Sequence, residues 1–257
     1  MLTIDTIILC LAAFGAGFVD SIVGGGGLLQ LPALMLVFPQ APLVTLLGTN
    51  KLVSVTGTAF SAYRYSRQIP FLRAIVFPAM LTAFIFSALG AYTVSIISND
   101  FLKPIFIVLM FGIFLITIRN RHFGMSEHDP NVVIPAWKPL LIGAVIGFYD
   151  GFFGPGTGSL LIIAFVGFMS MTFVQGSAYA KMINLTTNVA AILLFLSKGA
   201  IFWNVALLMM VFNVAGAMVG VRLALLRGNE FVRGLLRFVV FATMLKLGYE
   251  VFRDYLL

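Results

Sequence analysis

The chain of 257 residues is 61% hydrophobic and only 10% charged, whereas about a quarter of the residues in soluble domains are charged. This composition excludes an ordinary soluble protein and indicates a protein that is integral to a membrane. The net charge of +7 does not indicate nucleic-acid binding, because the basic residues flank apolar runs, where they set orientation and meet anionic headgroups.

Apolar runs of roughly the 20 residues that a membrane-spanning helix needs follow one another along the chain. They cover residues 4–22, 43–63, 74–97, 101–118, 174–196, 205–226 and 235–252. None of them alternates apolar and polar residues with a period of two, so the predicted fold class is an all-α integral membrane protein. The first run follows an acidic rather than a basic start, and we expect it to stay in the mature protein. Cys10, the single cysteine, lies inside that run, which excludes an intrachain disulfide.

The sequence contains an internal repeat at a spacing of 130 residues. Without a gap, this shift places the first member of each of these pairs on the second: Gly17 and Gly147, Phe18 and Phe148, Asp20 and Asp150, Gly24 and Gly154, Gly26 and Gly156, Lys51 and Lys181. We therefore divide the chain into a first transmembrane repeat at 1–118, a cytoplasmic connector at 119–138 and a second repeat at 139–257, with about four helical segments in each repeat. The connector is polar and holds His122 and His128, which we interpret as solvated loop residues.

Each repeat opens with a long apolar stretch that is broken by glycines, at residues 4–38 and 140–171. We interpret each stretch as a helical hairpin with its tip near the bilayer midplane, because glycine permits tight turns and Pro155 ends a helix. Irregular backbone at that depth must be buried in protein or line a cavity, so the two tips are expected to meet in the centre. The alternative is eight ordinary crossings in which the glycines only pack helices together.

The distribution of Lys and Arg predicts that the two repeats are inverted. The loop after residue 63 has Arg64, Arg67 and Arg73, and the loop after residue 97 has only Lys103. In the second repeat the bias reverses, because Lys198 stands alone and the basic residues collect at the later loop. These later residues are Arg222, Arg227, Arg233 and Arg237. Since basic loops are cytoplasmic, equivalent loops would face opposite sides of the membrane.

Four ionisable residues stand in apolar surroundings at matched positions: Asp20 and Asp150 before the glycines, and Lys51 and Lys181 in the helices that follow. Charges inside a membrane usually face a bundle interior or a transport pathway. The alternative is structural, either as two Asp–Lys pairs or as aspartates that cap a nearby helix.

Polar side chains and two half-helices, expected to begin at about Leu28 and Leu160, surround these charges. Two lysines, two half-helix N-termini and several amide and hydroxyl groups suit an anion better than a cation. The predicted substrate-binding residues are Gly24, Gly25, Gly26, Gly27, Thr49, Asn50, Lys51, Gly154, Gly156, Thr157, Gly158, Ser159, Lys181, Asn184 and Asn188. Other polar residues expected to converge there are Gln30, Ser54, Thr56, Thr186 and Thr187. Burial and a nearby anion both favour a neutral carboxyl, so Asp20 and Asp150 are the predicted proton-coupling residues.

Four segments carry a resemblance to a known family. They are GFVDSIVGGGGLLQLPAL at 17–34, LGTNKL at 47–52, GFYDGFFGPGTGS at 147–159 and AKMINLTTN at 180–188. Together they resemble the sulfite exporter TauE/SafE family of membrane permeases, over nearly the whole chain. The resemblance implies movement of small sulfur-containing anions, such as sulfite and organosulfonates, across the cytoplasmic membrane.

These observations predict a multi-pass secondary transporter that exports small sulfur-containing or organic anions by alternating access at a central site. No cofactor, no metal and no nucleic-acid partner is expected, only the anion and membrane lipids. An anion channel is the alternative, because the same cavity could be open to both sides. An intramembrane aspartyl protease is a further alternative, although neither aspartate has the Gly-x-Gly-Asp signature of such enzymes.

Overall fold

A computed structural model of the chain describes residues 4–97 and 135–256. Within these ranges the chain forms eight helices and no strand, which confirms the predicted all-α class. They are α1 (Ile4–Val23), α2 (Gly27–Val37), α3 (Leu43–Ser66), α4 (Arg73–Ile96), α5 (Trp137–Phe152), α6 (Thr157–Met169), α7 (Phe173–Ser197) and α8 (Trp203–Leu256). The predicted span at 101–118 and most of the predicted connector, with both histidines, lie outside the described residues.

Four of the described helices are long and apolar enough to cross a membrane: Ile4–Val23, Arg73–Ile96, Phe173–Ser197 and Trp203–Leu236. α8 is interrupted at Gly228, whose φ of 68° and ψ of −156° are not helical. The predicted apolar runs at 205–226 and 235–252 therefore lie on either side of this break. Trp137 and Trp203 begin α5 and α8 and are more than half exposed, as expected of interfacial anchors.

Each glycine-broken stretch forms two helices, as the hairpin interpretation predicts, with the break at residues 24–26 and 153–156. The second arm begins at Gly27 and at Thr157, one and three residues before the predicted Leu28 and Leu160. Before α2, Gly26 already has a helical φ of −58° and ψ of −39°, whereas before α6 Gly156 has a φ of 83° and the helical geometry begins only after it. α1 has 20 residues and is about 30 Å long, so it could span the bilayer by itself. α2 has only 11, and the depth of the tips in the membrane stays a prediction.

The buried apolar side chains form two separate clusters. The first core contains Tyr65, the start of α4, much of α6 and residues from Phe173 to Ile183 of α7. The second core contains the start of α3, Leu31 and Leu34 of α2, and residues from Ala191 to Phe195 of α7. Between the two cores α7 carries the buried polar side chains Asn184, Thr187 and Asn188. A polar layer therefore separates two apolar layers.

Equivalent helices of the two repeats run in opposite directions between these cores. α3 begins in the second core and ends beside the first at Tyr65, whereas α7 begins in the first core at Phe173 and ends in the second at Phe195. In the same way, the α1–α2 hairpin starts and ends at the second core and α6 lies in the first. This arrangement is the one that an inverted repeat needs. The inversion and its orientation in the membrane stay predictions from the charged loops.

Helices of one repeat also pack against helices of the other. Gly17 of α1 lies against the backbone of Asn213 in α8, and Gly147 of α5 lies against the backbone of Ala83 in α4. Asn213 and Ala83 are themselves related by the 130-residue shift. In both contacts the missing side chain allows two helices to approach closely, which is the usual role of small residues between membrane helices. The two repeats are thus packed into one body through equivalent pairs of surfaces.

Candidate functional site

The four charged residues that the sequence singled out form two ion pairs, and each pair joins the two repeats. Lys51 Nζ lies 2.6 Å from Asp150 Oδ2, and Lys181 Nζ lies 2.8 Å from Asp20 Oδ2. The lysine of each repeat therefore pairs with the aspartate of the other. The sequence left open whether Asp–Lys pairs form, but it contained no signal that they would cross between repeats.

The tips of the two hairpins are in direct contact, as predicted. The backbone of Gly24 lies against that of Gly158, and no side chain would fit between them. Ser159 N donates a hydrogen bond of 3.3 Å to Gly24 O, and Ser159 Oγ donates one of 2.7 Å to Val23 O. Gly24 and its counterpart Gly154 both have a positive φ, 75° and 93°, which glycine adopts at little cost. Glycine is required here for both the turn and the close approach.

The ammonium group of Lys51 reaches the opposite tip. A Cβ atom at Gly154 would lie 3.2 Å from both Cε and Nζ of Lys51. This contact places the lysine of the first repeat between Asp150 and the turn of the second hairpin. A side chain at residue 154 would compete with the Lys51 ammonium group for this space. Glycine at residue 154 therefore allows both the turn and the position of the lysine.

The two ion pairs differ in their surroundings. The side chains of Lys51 and Asp150 are 4% and 1% exposed, whereas Asp20 is 14% exposed and Lys181 is fully buried. Asp20 Oδ2 also accepts a hydrogen bond of 3.1 Å from Thr58 Oγ1. Asp150 Oδ2 accepts no hydrogen bond of good geometry in the described part of the chain, although Lys51 Nζ is close to it. The Asp20 pair is therefore the better hydrogen-bonded and the more accessible of the two.

Polar residues at helical spacing follow each lysine on the same face of its helix. In α3 these are Ser54 and Thr58, and in α7 they are Asn184 and Asn188. Asn184 and Asn188 are buried, and within residues 4–97 and 135–256 their amide side chains form no hydrogen bond. Thr58 was missed as a site residue, although its position seven residues after Lys51 could have identified it. Asn188 is the counterpart of Thr58 at a spacing of 130.

Several predicted ligands are already used in holding the fold together. Thr49 Oγ1 donates to Thr45 O and accepts from Phe202 N, at the start of α8. Thr157 Oγ1 donates to Gly154 O within its own tip. Ser159 bonds the opposite tip through both its N–H and its hydroxyl. These three residues support the shape of the site, and only a rearrangement would free them to bind an anion.

A buried amide network near the first tip was not predicted as a unit. Gln30 Nε2 donates to the backbone O and to Oδ1 of Asn50, at 3.2 and 2.9 Å. Asn213 Nδ2 donates to Gln30 Oε1 at 3.1 Å and to Ala13 O at 3.2 Å. The network joins α1, α2, α3 and α8. An amide in the middle of the apolar run at 205–226 was the signal that could have identified Asn213, because polar groups inside a membrane need partners.

The remaining predicted glycines line the tips. Gly25, Gly26, Gly156 and Gly158 are buried, and Gly27 lies against Pro155 of the opposite tip. Thr56 and Thr186 donate to carbonyls of their own helices, at Val53 and Met182, as Thr187 does at Asn184. No group of three His, Cys, Asp or Glu side chains within the described ranges could hold a metal ion.

The described site has the features of a charged layer buried between two halves of a membrane protein, and comparison with known proteins gives the family. A family model described as "Sulfite exporter TauE/SafE" matches residues 9–247. The chain is a member of the TauE/SafE family. Its charged pairs and glycine tips all lie inside the matched range.

Relatives in this family are named as membrane transporters. A probable membrane transporter protein, ORF9, of Sinorhizobium sp is 37% identical, with 93% of this chain and 90% of the relative covered. One from Haemophilus influenzae is 33% identical, with 95% and 94% covered, and the probable membrane transporter protein YfcA of Escherichia coli is 34% identical, with 95% and 89% covered. No solved structure shows a significant match. The protein is therefore a membrane transporter of the TauE/SafE family.

Proposed function

We propose that this TauE/SafE protein exports a small sulfur-containing or organic anion, such as sulfite or a sulfonate, across the cytoplasmic membrane. The observation that carries the proposal is the pair of reciprocal ion pairs between the repeats, Lys51 with Asp150 and Lys181 with Asp20. They place two buried cations beside the glycine tips, where both repeats meet. Inverted-repeat transporters bind their substrates at such an interface.

The lysines would bind the anion by exchanging one partner for another. A buried ion pair that loses one member costs about 3–5 kcal/mol, so neither lysine is left alone while the carrier is empty. An oxyanion can replace the aspartate, because it offers oxygen acceptors of the same charge. The amides of Asn184 and Asn188, on the same face as Lys181 and without a hydrogen bond in the described part of the chain, then supply further donors to the anion.

Partner exchange links anion binding to protonation. When the anion takes Lys181 from Asp20, the carboxylate is left buried beside another negative charge, and both conditions favour its neutral form. Asp20 is the partly exposed member of the two aspartates, so a proton reaches it more readily than it reaches Asp150. The proposed proton-coupling roles of Asp20 and Asp150 follow from this exchange.

Alternating access follows from the way the pairs are connected. Because each pair joins one repeat to the other, rocking of one repeat against its partner disturbs both pairs and both tip contacts together. An exporter of anions needs no coupling ion, since each negative charge that leaves a cell with a negative interior gains about 2.3 kcal/mol per 100 mV. Import of the same anion would need a coupling ion.

The test is flux of sulfite, sulfoacetate, thiosulfate and small carboxylates in proteoliposomes, with and without a proton gradient. We expect saturable flux of at least one sulfur-containing anion, accelerated by the same anion on the opposite side. Flux that rises linearly with concentration and shows no such acceleration would indicate the alternative, an anion channel. Transport of none of these anions would contradict the proposed substrate class.

The coupling roles are tested by the Asp20→Asn, Asp150→Asn double variant, with Asp5→Asn as the control because Asp5 is exposed in the first turn of α1. Efflux driven by membrane potential should persist in the double variant, while stimulation by an imposed pH gradient is lost. Asp5→Asn should keep both. Full pH-driven transport in the double variant would show that the aspartates are structural.

The protease alternative is not favoured by this geometry. An aspartyl protease needs two carboxyl groups that share one proton. Here each carboxylate faces a lysine, and no hydrogen bond joins Asp20 to Asp150 in the described part of the chain. The relatives are likewise named as transporters and not as enzymes.

A further inference from the structure

A groove on the surface of the protein lies between α3 and α8, away from the ion pairs. It encloses about 660 Å³ and is lined by two arginines, Arg64 and Arg222, and by an apolar wall that includes Phe60, Met218, Leu223 and Leu226. Its volume lies within the range of about 300–1,000 Å³ that is typical of small-molecule sites. None of the residues in the two ion pairs or in the tips lines it.

The groove carries two positive charges, from Arg64 and Arg222. Arg64 and Arg222 are both exposed, and neither forms an ion pair in the described part of the chain. Two like charges that face one groove repel each other, and an anion between them removes that repulsion. Arginine also presents several donors in a fixed geometry that matches a phosphate group. The groove therefore has the charge for a phosphate and the walls for a hydrocarbon chain.

The position of the groove fits a lipid at the membrane surface. Arg64 lies in the last turn of α3, next to Tyr65 of the first core, and Arg222 lies next to Val221 of the same core. Both arginines are thus at the end of the bundle that the charged loops predict to be cytoplasmic. Met218 and Leu226 expose apolar surface beside them. A headgroup at the arginines would leave its acyl chain along this apolar wall.

We propose that this α3–α8 groove is a binding site for an anionic phospholipid of the cytoplasmic leaflet. The phosphate lies between Arg64 and Arg222, and one acyl chain packs along Phe60, Met218 and Leu223. Basic pockets between membrane helices on the cytoplasmic side commonly bind such headgroups. The lipid site is independent of the anion site, because it shares no residue with the ion pairs.

The test is native mass spectrometry of the full chain in detergent with equal amounts of phosphatidylglycerol and phosphatidylcholine that carry the same acyl chains. The wild type should retain phosphatidylglycerol at least fivefold more than phosphatidylcholine. Arg64→Gln with Arg222→Gln should abolish this preference. Arg67→Gln is the matched control, because Arg67 is an exposed arginine at the end of the same helix and does not line the groove. It should change the preference less than twofold.

Two further arms separate a lipid from other occupants. Met218→Trp keeps both charges and narrows the groove, so it should also reduce lipid retention. Millimolar inorganic phosphate should not displace phosphatidylglycerol, because phosphate lacks the acyl chain. The proposal is overturned by a double variant that retains the lipid, by an equal loss in Arg67→Gln, by full retention in Met218→Trp or by displacement with phosphate. One further outcome would also overturn the proposal. If the wild type is a dimer, and Arg64→Gln with Arg222→Gln dissociates it without changing lipid retention, the groove is the interface with a second copy of the chain.

Discussion

The two halves of the charged layer have the same chemistry in different surroundings. Around Asp20 the carboxylate is partly exposed and accepts hydrogen bonds from Lys181 and Thr58. Around Asp150 the carboxylate is sealed and depends on Lys51. Duplication therefore preserved the charges, while the neighbouring residues diverged. The comparison indicates that the first repeat's aspartate is the one that water reaches in this conformation, and that the second pair is closed.

The halves also differ in how each tip is held. The first hairpin is tied to its neighbours by the buried network of Gln30, Asn50 and Asn213. The positions related to these three by the 130-residue shift are Leu160, Ala180 and Ala83, whose side chains cannot form such a network. The second tip instead contains Pro155, whose carbonyl accepts a hydrogen bond of 2.6 Å from Tyr149 Oη. Side-chain amides hold one tip, and proline with a tyrosine hydroxyl holds the other.

The largest difference between the halves should come from deleting one lysine at a time. Lys51→Met should lower the free energy of unfolding by about 3–5 kcal/mol, since it leaves a sealed carboxylate without a cation. Lys181→Met should cost less, because Asp20 keeps Thr58 and some contact with water. Unfolding of the purified protein in mixed detergent measures both. Lys51→Met combined with Asp150→Asn should recover part of the loss, and an equal cost for the two single variants would contradict the proposed asymmetry.

Alanine in place of the tip glycines should produce the next largest effects. Gly24→Ala and Gly154→Ala both force a residue with a side chain to a positive φ, which costs about 1–3 kcal/mol. Gly24→Ala should cost more, because its Cβ would also overlap the backbone of Gly158. Gly199→Ala is the control, with a φ of 63° and no atom within 4 Å of the added Cβ. If all three variants unfold at the same temperature, the tips are not in tight contact.

The amide network should have a smaller effect, and that effect should be confined to the packing of the first hairpin. Asn213→Ala leaves Gln30 Oε1 without its Asn213 donor, at a cost of about 1–3 kcal/mol. Gln30→Leu introduces the residue that the second repeat has at the equivalent position, Leu160. The Asn213→Ala, Gln30→Leu double variant should lose less stability than the sum of the two single variants, because the leucine removes the amide that Asn213→Ala leaves unpaired. A double-mutant cycle in detergent unfolding gives the coupling. Fully additive costs would show that the network is not a unit.

The last prediction concerns orientation and should leave stability unchanged. With Cys10 replaced, single cysteines at the exposed positions Ser66 and Ser197 report the ends of α3 and α7. Membrane-impermeant labelling should find a cysteine at residue 66 on the cytoplasmic side and one at residue 197 on the opposite side. A cysteine at Asn99 should be extracytoplasmic, and a cysteine near Gly228 should be cytoplasmic. Labelling of residues 66 and 197 from the same side would make the repeats parallel and would contradict the hairpin interpretation.

Much of the architecture could be predicted from the sequence. The apolar runs at 43–63, 74–97 and 174–196 became α3, α4 and α7 with bounds that differ by at most three residues. The glycine breaks were also placed correctly. These features are local, because a spanning helix needs an apolar stretch of fixed length and a tight turn needs a residue that tolerates a positive φ. The helical class and the segment bounds follow from such rules.

The site was predicted less completely, because its contacts are between distant parts of the chain. The four charged residues were identified from their apolar surroundings and from the repeat. Their pairing partners were not identified. Thr49 and Ser159 were expected to bind an anion, whereas they hold α8 and the opposite tip. Asn213 was missed, because an amide in an apolar run signals that it has a polar partner but does not show which distant residue that partner is.

Composition, spacing and residue type are local information, and they are sufficient to predict a duplicated membrane protein with glycine-broken helices and with an aspartate and a lysine inside the apolar segments of each copy. The packing of the helices, by contrast, sets three features: each lysine pairs with an aspartate of the other repeat, Gly24 contacts Gly158, and the Asp20 and Asp150 pairs differ in exposure. Pairing depends on which surfaces pack together, and a repeat of identical charges allows partners within a copy or between copies. The close approach of the two glycine tips selects the second arrangement, since it brings each aspartate within reach of the other copy's lysine.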